Sequence, residues 1–171
     1  MPVFTIVVRL VHITTAALWA GAAVAYAGFA SPAARAMGPD GGKFTQRLVA
    51  AGFPTFMNWM SWTATLSGLL LYWRVSGGAQ PAWIASMPGL VFTLGSIAGI
   101  AAFLTGALVN SPAAARLGAV GREVQASGGP PMPGQTAEMQ ALHERLRKGG
   151  HWGTSLLVVA LILMSAARYL R

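Results

Sequence analysis

Between Arg9 and Arg35 the chain runs for 25 residues without a formal charge. A second charge-free run lies between Arg47 and Arg74, and a third extends from Val75 to Ala115. A membrane-spanning helix needs about 20 mostly apolar residues, so each run is long enough to hold one. Only 9% of the side chains are charged, against about a quarter in an ordinary soluble domain. So few charges cannot coat a water-soluble fold, which excludes a soluble globular enzyme and a disordered chain. The pattern predicts an all-α polytopic membrane protein, a four-helix transmembrane bundle in a single membrane domain. Its spans are expected at about residues 4–30, 54–73, 88–110 and 151–170. With no cysteine in the chain, disulfides, iron–sulfur clusters and thiolate metal sites are excluded.

The first span lacks a basic region before its apolar core and is too long for a signal-peptide core, so it is expected to be retained. The net charge of +8 is not gathered on a soluble face, so nucleic acid is not the expected partner. Residues 31–53 carry Arg35, Lys43 and Arg47. Residues 111–150 carry Arg116, Arg122, Arg145, Arg147 and Lys148. The other side holds Arg9, Arg74, Arg168 and Arg171. The positive-inside rule then places the first and third loops in the cytoplasm and both termini outside, in a multi-pass protein of the cytoplasmic (inner) membrane.

Loop three begins with a turn-forming stretch from Ser127 to Gly134. Thr136 is expected to cap a short helix over about 136–148, with Met139, Leu142 and Leu146 on one face. That helix either lies on the membrane surface or leads into the fourth span. A faint repeat joins the two halves: Ser31-Pro32-Ala33-Ala34-Arg35 follows span one, and Ser111-Pro112-Ala113-Ala114-Ala115-Arg116 follows span three. At both places Ser-Pro is expected to stop one helix and start another. Two similar hairpins, or independent use of one stop signal, explain the repeat equally well.

Lipid offers no hydrophobic drive between helices, so close packing uses small residues. Gly95, Gly99, Ala102 and Gly106 form such a series in span three, and Ala17, Gly21 and Ala25 form one in span one. Asn58, Ser61, Thr65 and Gly68 share a stripe of span two that is expected to face the interior. Trp73, Trp83 and Trp152 are expected as interfacial anchors.

Chemistry is sparse. All four acidic residues lie in loops, which disfavours carboxylate-driven transport, and neither a hydrolase constellation nor a nucleotide motif is present. His12 is an ionisable residue about two turns into span one, and such a residue is a functional candidate by default. It reads either as a haem or metal ligand or as a buried histidine bonded to a hydroxyl or carbonyl. At 1.5 Å per residue, its level falls near Leu66, Ser96 and Met164. Met164 is therefore a candidate second axial ligand, Gly95 and Gly99 could admit a porphyrin, and Arg9 and Arg168 could meet its propionates. Met164 also reads as core filler and the glycines as packing residues. A separate inner metal site could use His151 with Met57 and Met60, since thioethers select Cu(I). His151 otherwise reads as an interfacial histidine, the methionines as packing, and His143 as solvated.

The spacing of Arg9, His12, Trp19 and Gly21, with the exit from Pro32 to Arg35, resembles the membrane domain of copper resistance protein D and its uncharacterised relatives. Gly68-Leu69-Leu70-Leu71-Tyr72-Trp73 and Met164-Ser165-Ala166-Ala167-Arg168-Tyr169-Leu170 resemble them too. A more distant resemblance is to the four-helix haem-binding bacterial protoporphyrinogen oxidase, and it implies that His12 is the ligand. That family has an essential lysine within the bundle, whereas Lys43 and Lys148 here are both in loops. Three histidines also cannot supply the two pairs of a four-helix di-haem cytochrome.

The expected function is a haem b or copper site organised by His12, serving electron transfer or metal handling. The alternative is a cofactor-free scaffold or accessory subunit. Its basic loops would meet anionic lipid or a soluble partner, and its small-residue stripes would serve a homodimer or a partner membrane subunit.

Overall fold

The computed structural model describes residues 3–170, the side chain of Pro39 excepted. Its helices are α1 (Val3–Ala36), α2 (Pro39–Ala50), α3 (Phe53–Val75), α4 (Pro81–Ile84), α5 (Met87–Ser127) and α6 (Pro133–Ala167). Arg171, one of the four basic residues counted on the outer side, lies outside the described residues. The protein is all-α, and α1, α5 and α6 are long and apolar enough to cross a membrane. α3, expected as a further span, has 23 residues but is less apolar. Asn58, Ser61, Thr63, Thr65 and Ser67 interrupt its hydrophobic run.

The Ser-Pro exits do not stop their helices. Proline lacks an N–H, and its ring clashes with the carbonyl four residues back. Both helices respond by widening, so that Tyr26–Ala30 and Thr105–Asn110 are π-helical. The Ser31 N–H donates to the Tyr26 carbonyl and the Ser111 N–H to the Gly106 carbonyl, five residues back each time. The helices then continue to Ala36 and Ser127, which corrects the expected ends at 30 and 110. The repeated sequence thus gives the same backbone event twice. The 41 residues of α5 make about 60 Å of helix, twice the ~30 Å hydrocarbon layer. Its far end must therefore project beyond a bilayer.

The fourth span and the short loop helix are one element, α6. It starts at Pro133 rather than at a Thr136 cap. The Met132 N–H donates to Gln135 Oε1 at 3.0 Å, and the Thr136 hydroxyl donates to the Met132 carbonyl at 3.2 Å. Gly149 and Gly150 do not break α6. Gly149 is required there, because a Cβ at this position would collide with Asn110 Oδ1 of α5.

α1 packs along α3, and α5 along α6, as two hairpins. The hairpins meet through α3 with α5 and α1 with α6, leaving the pairs α1/α5 and α3/α6 on the diagonals. The core joins Trp19, Ala20 and Ala23 of α1 to Ala64 of α3, Ala102 of α5 and Leu157 of α6. Four alanines in this group let the backbones approach closely.

Two packing expectations are corrected. Ala17, Gly21 and Ala25 face outward, with nothing within 4 Å of the place a Gly21 Cβ would take. At 3.6 residues per turn, burying the bulky Trp19 with Ala20 and Ala23 turns that stripe away from the bundle. On α3, Ser61 is buried and Thr65 and Gly68 face inward, but Asn58 is exposed. The outward face of α3 is Trp59, Trp62, Leu66, Leu69 and Trp73. Gly95 and Ala102 are buried as contact residues. A Cβ on Gly95 would stand 3.0 Å from Met164 Cγ.

Beyond the π-helical turns, the end of α5 packs on the start of α6. Val120 is fully buried there, and Met139, Leu142 and Leu146 are half-buried. Arg116 clamps the two segments, donating to Glu138 Oε1 at 2.6 Å and Oε2 at 3.0 Å, and to Glu123 at 3.2 Å. Lys43 pairs with Asp40, and Arg147 and Lys148 pair with Glu144. All four acids, expected in loops, therefore lie on helices, and they are spent on basic residues of α2, the end of α5 and the start of α6.

Candidate functional site

A cavity of about 310 Å³ lies among the four long helices. His12 enters it from α1, where no proline or glycine disturbs the helix before it. Its imidazole is fixed by α3. The Nδ1–H donates to the Ala64 carbonyl at 2.9 Å. That carbonyl is open to a second donor because the Ser67 hydroxyl gives its hydrogen to the Thr63 carbonyl at 2.5 Å. Gly68 makes room for the ring, since a Cβ there would stand 2.7 Å from Cε1. With Nδ1 protonated, the lone pair is on Nε2, which has no hydrogen-bond partner among the described residues. A histidine that donates one ring N–H to a backbone carbonyl and keeps the other nitrogen free has the arrangement found in metal-ligating imidazoles. It is also a half-buried histidine bonded to a carbonyl, so the bond alone serves either role.

The rest of the wall is apolar or weakly polar and carries no charge. Trp19, Ala20 and Leu157 connect it to the core, and Ala16, Ala64, Gly99 and Ala160 keep the walls thin. Met164 lines the cavity from α6 and rests on Gly95. His12 and Met164 therefore reach one space from opposite hairpins, at the levels that helix rise places together. The two glycines divide. Gly99 lines the cavity with only Ala160 nearby, at 3.9 Å from a notional Cβ, while the space over Gly95 is filled by Leu163 and Met164.

Sequence reasoning missed Tyr72 and Thr93. The Thr93 hydroxyl donates to the Gly89 carbonyl at 2.7 Å, so it accepts from the Tyr72 hydroxyl, 2.8 Å away. Tyr72 also packs against Trp83 and Phe92. This cluster covers the end of the cavity nearest the C-terminus of α3 and packs Trp83 against the bundle rather than leaving it as a free anchor. A Tyr two residues before Arg74 near the end of an apolar run was the available signal. Leu69, Ile97 and Leu161 line the cavity and are also exposed on the outside of the bundle. The space therefore opens sideways, toward the apolar surface.

The remaining candidates lie elsewhere. Arg9 and Arg168 are exposed and do not line the cavity, and Arg168 sits over the Tyr169 ring at 5.0 Å. Met57 and Met60 pack against the core cluster. His151 is exposed on α6, which is diagonal to α3, so the fold does not bring it to the two methionines. His143 is exposed, with Nδ1 on the Met139 carbonyl at 2.8 Å. Among the described residues no three His, Cys, Asp or Glu side chains gather around a common point.

Comparison with known protein families, with curated proteins and with solved structures gives no match to this chain.

Proposed function

We propose that this is a four-span protein of the cytoplasmic membrane whose central cavity holds haem b, with His12 as the iron ligand. α3 crosses beside the other three long helices. Its Trp59, Trp62, Leu66, Leu69 and Trp73 face supports this, as does its place inside the bundle. Both termini lie outside and the long helical extensions lie in the cytoplasm, following the basic residues. The observation that carries the cofactor reading is the His12 Nδ1–Ala64 bond beside a cavity shared with Met164.

His12 and Met164 would hold the iron through a neutral imidazole and a thioether, a donor pair that raises a haem potential. The cavity is at the lower end of ligand pockets, ~300–1,000 Å³, and smaller than haem itself, so the macrocycle would have to extend through the sideways opening beside Leu69, Ile97 and Leu161. Arg9 and Arg168 lie outside the cavity, so they would meet propionates only where these emerge from it. Bound haem would supply one-electron chemistry, and the apolar wall would keep water from it.

The test is an optical spectrum and metal analysis of one purified sample from haem-sufficient cells. The expected result is a Soret band and stoichiometric iron, both lost in His12→Gln with the helical content unchanged. Glutamine can still donate to the Ala64 carbonyl but has no imidazole nitrogen. Colourless, iron-free, folded wild-type protein would overturn the haem reading, and copper in its place would move the assignment to that metal.

A second reading is favoured by the outward stripe of Ala17, Gly21 and Ala25. Small residues at four-residue spacing on an open face suit a second membrane helix, so the chain would serve as a scaffold or accessory subunit, or as a homodimer. Gly21→Ile should then abolish association in detergent while leaving the optical spectrum untouched.

A further inference from the structure

At the basic end of the bundle a cleft of about 470 Å³ opens between the π-helical turn of α5 and the lower part of α6. Thr105 and Val109 form one wall, and Ala141, Arg145, Lys148 and Trp152 form the other. Steps of four, three and four place the last four on one face of α6. Thr105 and Val109 belong to the π-helical turn of α5, and Gly149 of α6 lies against Asn110 beside the cleft.

Its charges are unevenly spent. Glu144 also lines the cleft, but it accepts from Arg147 at 2.6 and 2.7 Å and faces Lys148 at 3.4 Å. Arg145 has neither an ion pair nor a hydrogen bond among the described residues. Trp152, 67% exposed, stands one helical turn further toward the apolar part of α6. From one end to the other the cleft offers an unpaired guanidinium, an ammonium shared with Glu144, an amphipathic ring and an apolar wall.

We propose that this cleft binds one acidic phospholipid of the inner leaflet. Its phosphate would sit at Arg145 and Lys148, with its acyl chains running past Trp152 and Val109 into the bilayer. The charge complementarity carries the choice. A phosphate offers the acceptors an unpaired Arg lacks, and the interfacial Trp with an apolar floor matches a lipid rather than a free anion. The site is independent of what the central cavity holds.

The experiment is native mass spectrometry of the full chain from micelles mixing phosphatidylglycerol and phosphatidylcholine, with thermal unfolding on the same samples. Wild type should retain one phosphatidylglycerol in preference to phosphatidylcholine. The double variant R145Q/K148Q should weaken that adduct roughly thirty-fold, given the usual attraction of an anionic surface for each basic residue. The control R35Q/R122Q removes the same charge from the same side and should keep the adduct. Equal loss in both double variants overturns the proposal, as does absence of headgroup preference in wild type. Stabilisation by inorganic phosphate as strong as that by the lipid would also overturn it.

Discussion

Gly68 of α3 lies so close to His12 of α1 that a Cβ on it would stand 2.7 Å from His12 Cε1 and 3.1 Å from Nδ1. The imidazole therefore has its position set by two main-chain features of one neighbouring helix, a carbonyl to hold it and a missing side chain to admit it. Gly68→Ala should displace the ring from Ala64 and abolish or shift any His12-dependent absorption band. It should also cost stability, since overpacking a close contact typically costs about 1–3 kcal/mol. Gly21→Ala, on the open face of α1, should instead be neutral or stabilising by about 0.5–1 kcal/mol. Spectra and unfolding midpoints of the two variants side by side decide the point, and equal behaviour would remove the special role of Gly68.

Gly149 is the corresponding contact at the other end of the molecule. A side chain there meets Asn110 Oδ1, a buried oxygen with no hydrogen-bond partner among the described residues. Gly149→Ala should lower the unfolding midpoint, whereas Gly150→Ala, with nothing within 4 Å of its Cβ position, should not. Identical midpoints for the two would show that α6 can move away freely.

The π-helical turns give a third prediction. Pro112→Ala restores the N–H and removes the ring that forces the widening. The turn should then tighten to α-helix and rotate everything beyond it by about 100°. Arg116 would leave Glu138. The chain has no cysteine, so spin labels at Gly121→Cys and Gln140→Cys report the extension geometry directly. A distance distribution unchanged by Pro112→Ala would show that something other than the proline holds the turn open.

A fourth prediction concerns acid. Hydrogen bonds from Arg147, reinforced by Lys148, hold the Glu144 carboxyl down at about 2, and those from Arg116 hold Glu138 below the ordinary carboxylate value. Both pKa values are depressed on folding. The pairs therefore contribute fully above the unfolded value of about 4.3, and the contribution fades as pH falls through the folded one. Infrared difference spectra against Glu144→Gln should show this carboxylate still ionised at pH 3. Protonation centred near pH 4.3 would mean that the ion pair does not form in solution. Both pairs are exposed, so high salt should weaken them.

The length of the apolar runs made the helical, membrane-type architecture legible, and helix rise alone put Leu66, Ser96 and Met164 near the level of His12. Helix ends were less legible. Ser31-Pro32 and Ser111-Pro112 read as stops because a proline removes a hydrogen bond, yet bonds reaching five residues back carry the helix past it. Gly149-Gly150 gave no sign of lying inside a 35-residue helix, because the reason for Gly149 is a partner 39 positions away. Spacing revealed two small-residue stripes but could not rank them. Only the demand of Trp19 for burial turned Ala17 and Gly21 outward.

The sequence by itself determined that the protein is helical and suited to a bilayer, since too few charges remain to solvate it, and it singled out His12 as the one histidine deep in an apolar run. Tertiary structure decided which helices pair, that His12 is held by Ala64 and Gly68, and that Met164, Tyr72 and Thr93 close around the same space. Helix periodicity fixes which residues share a face. Which faces meet depends on close contacts between segments far apart in the chain, and those exist only once the bundle has formed.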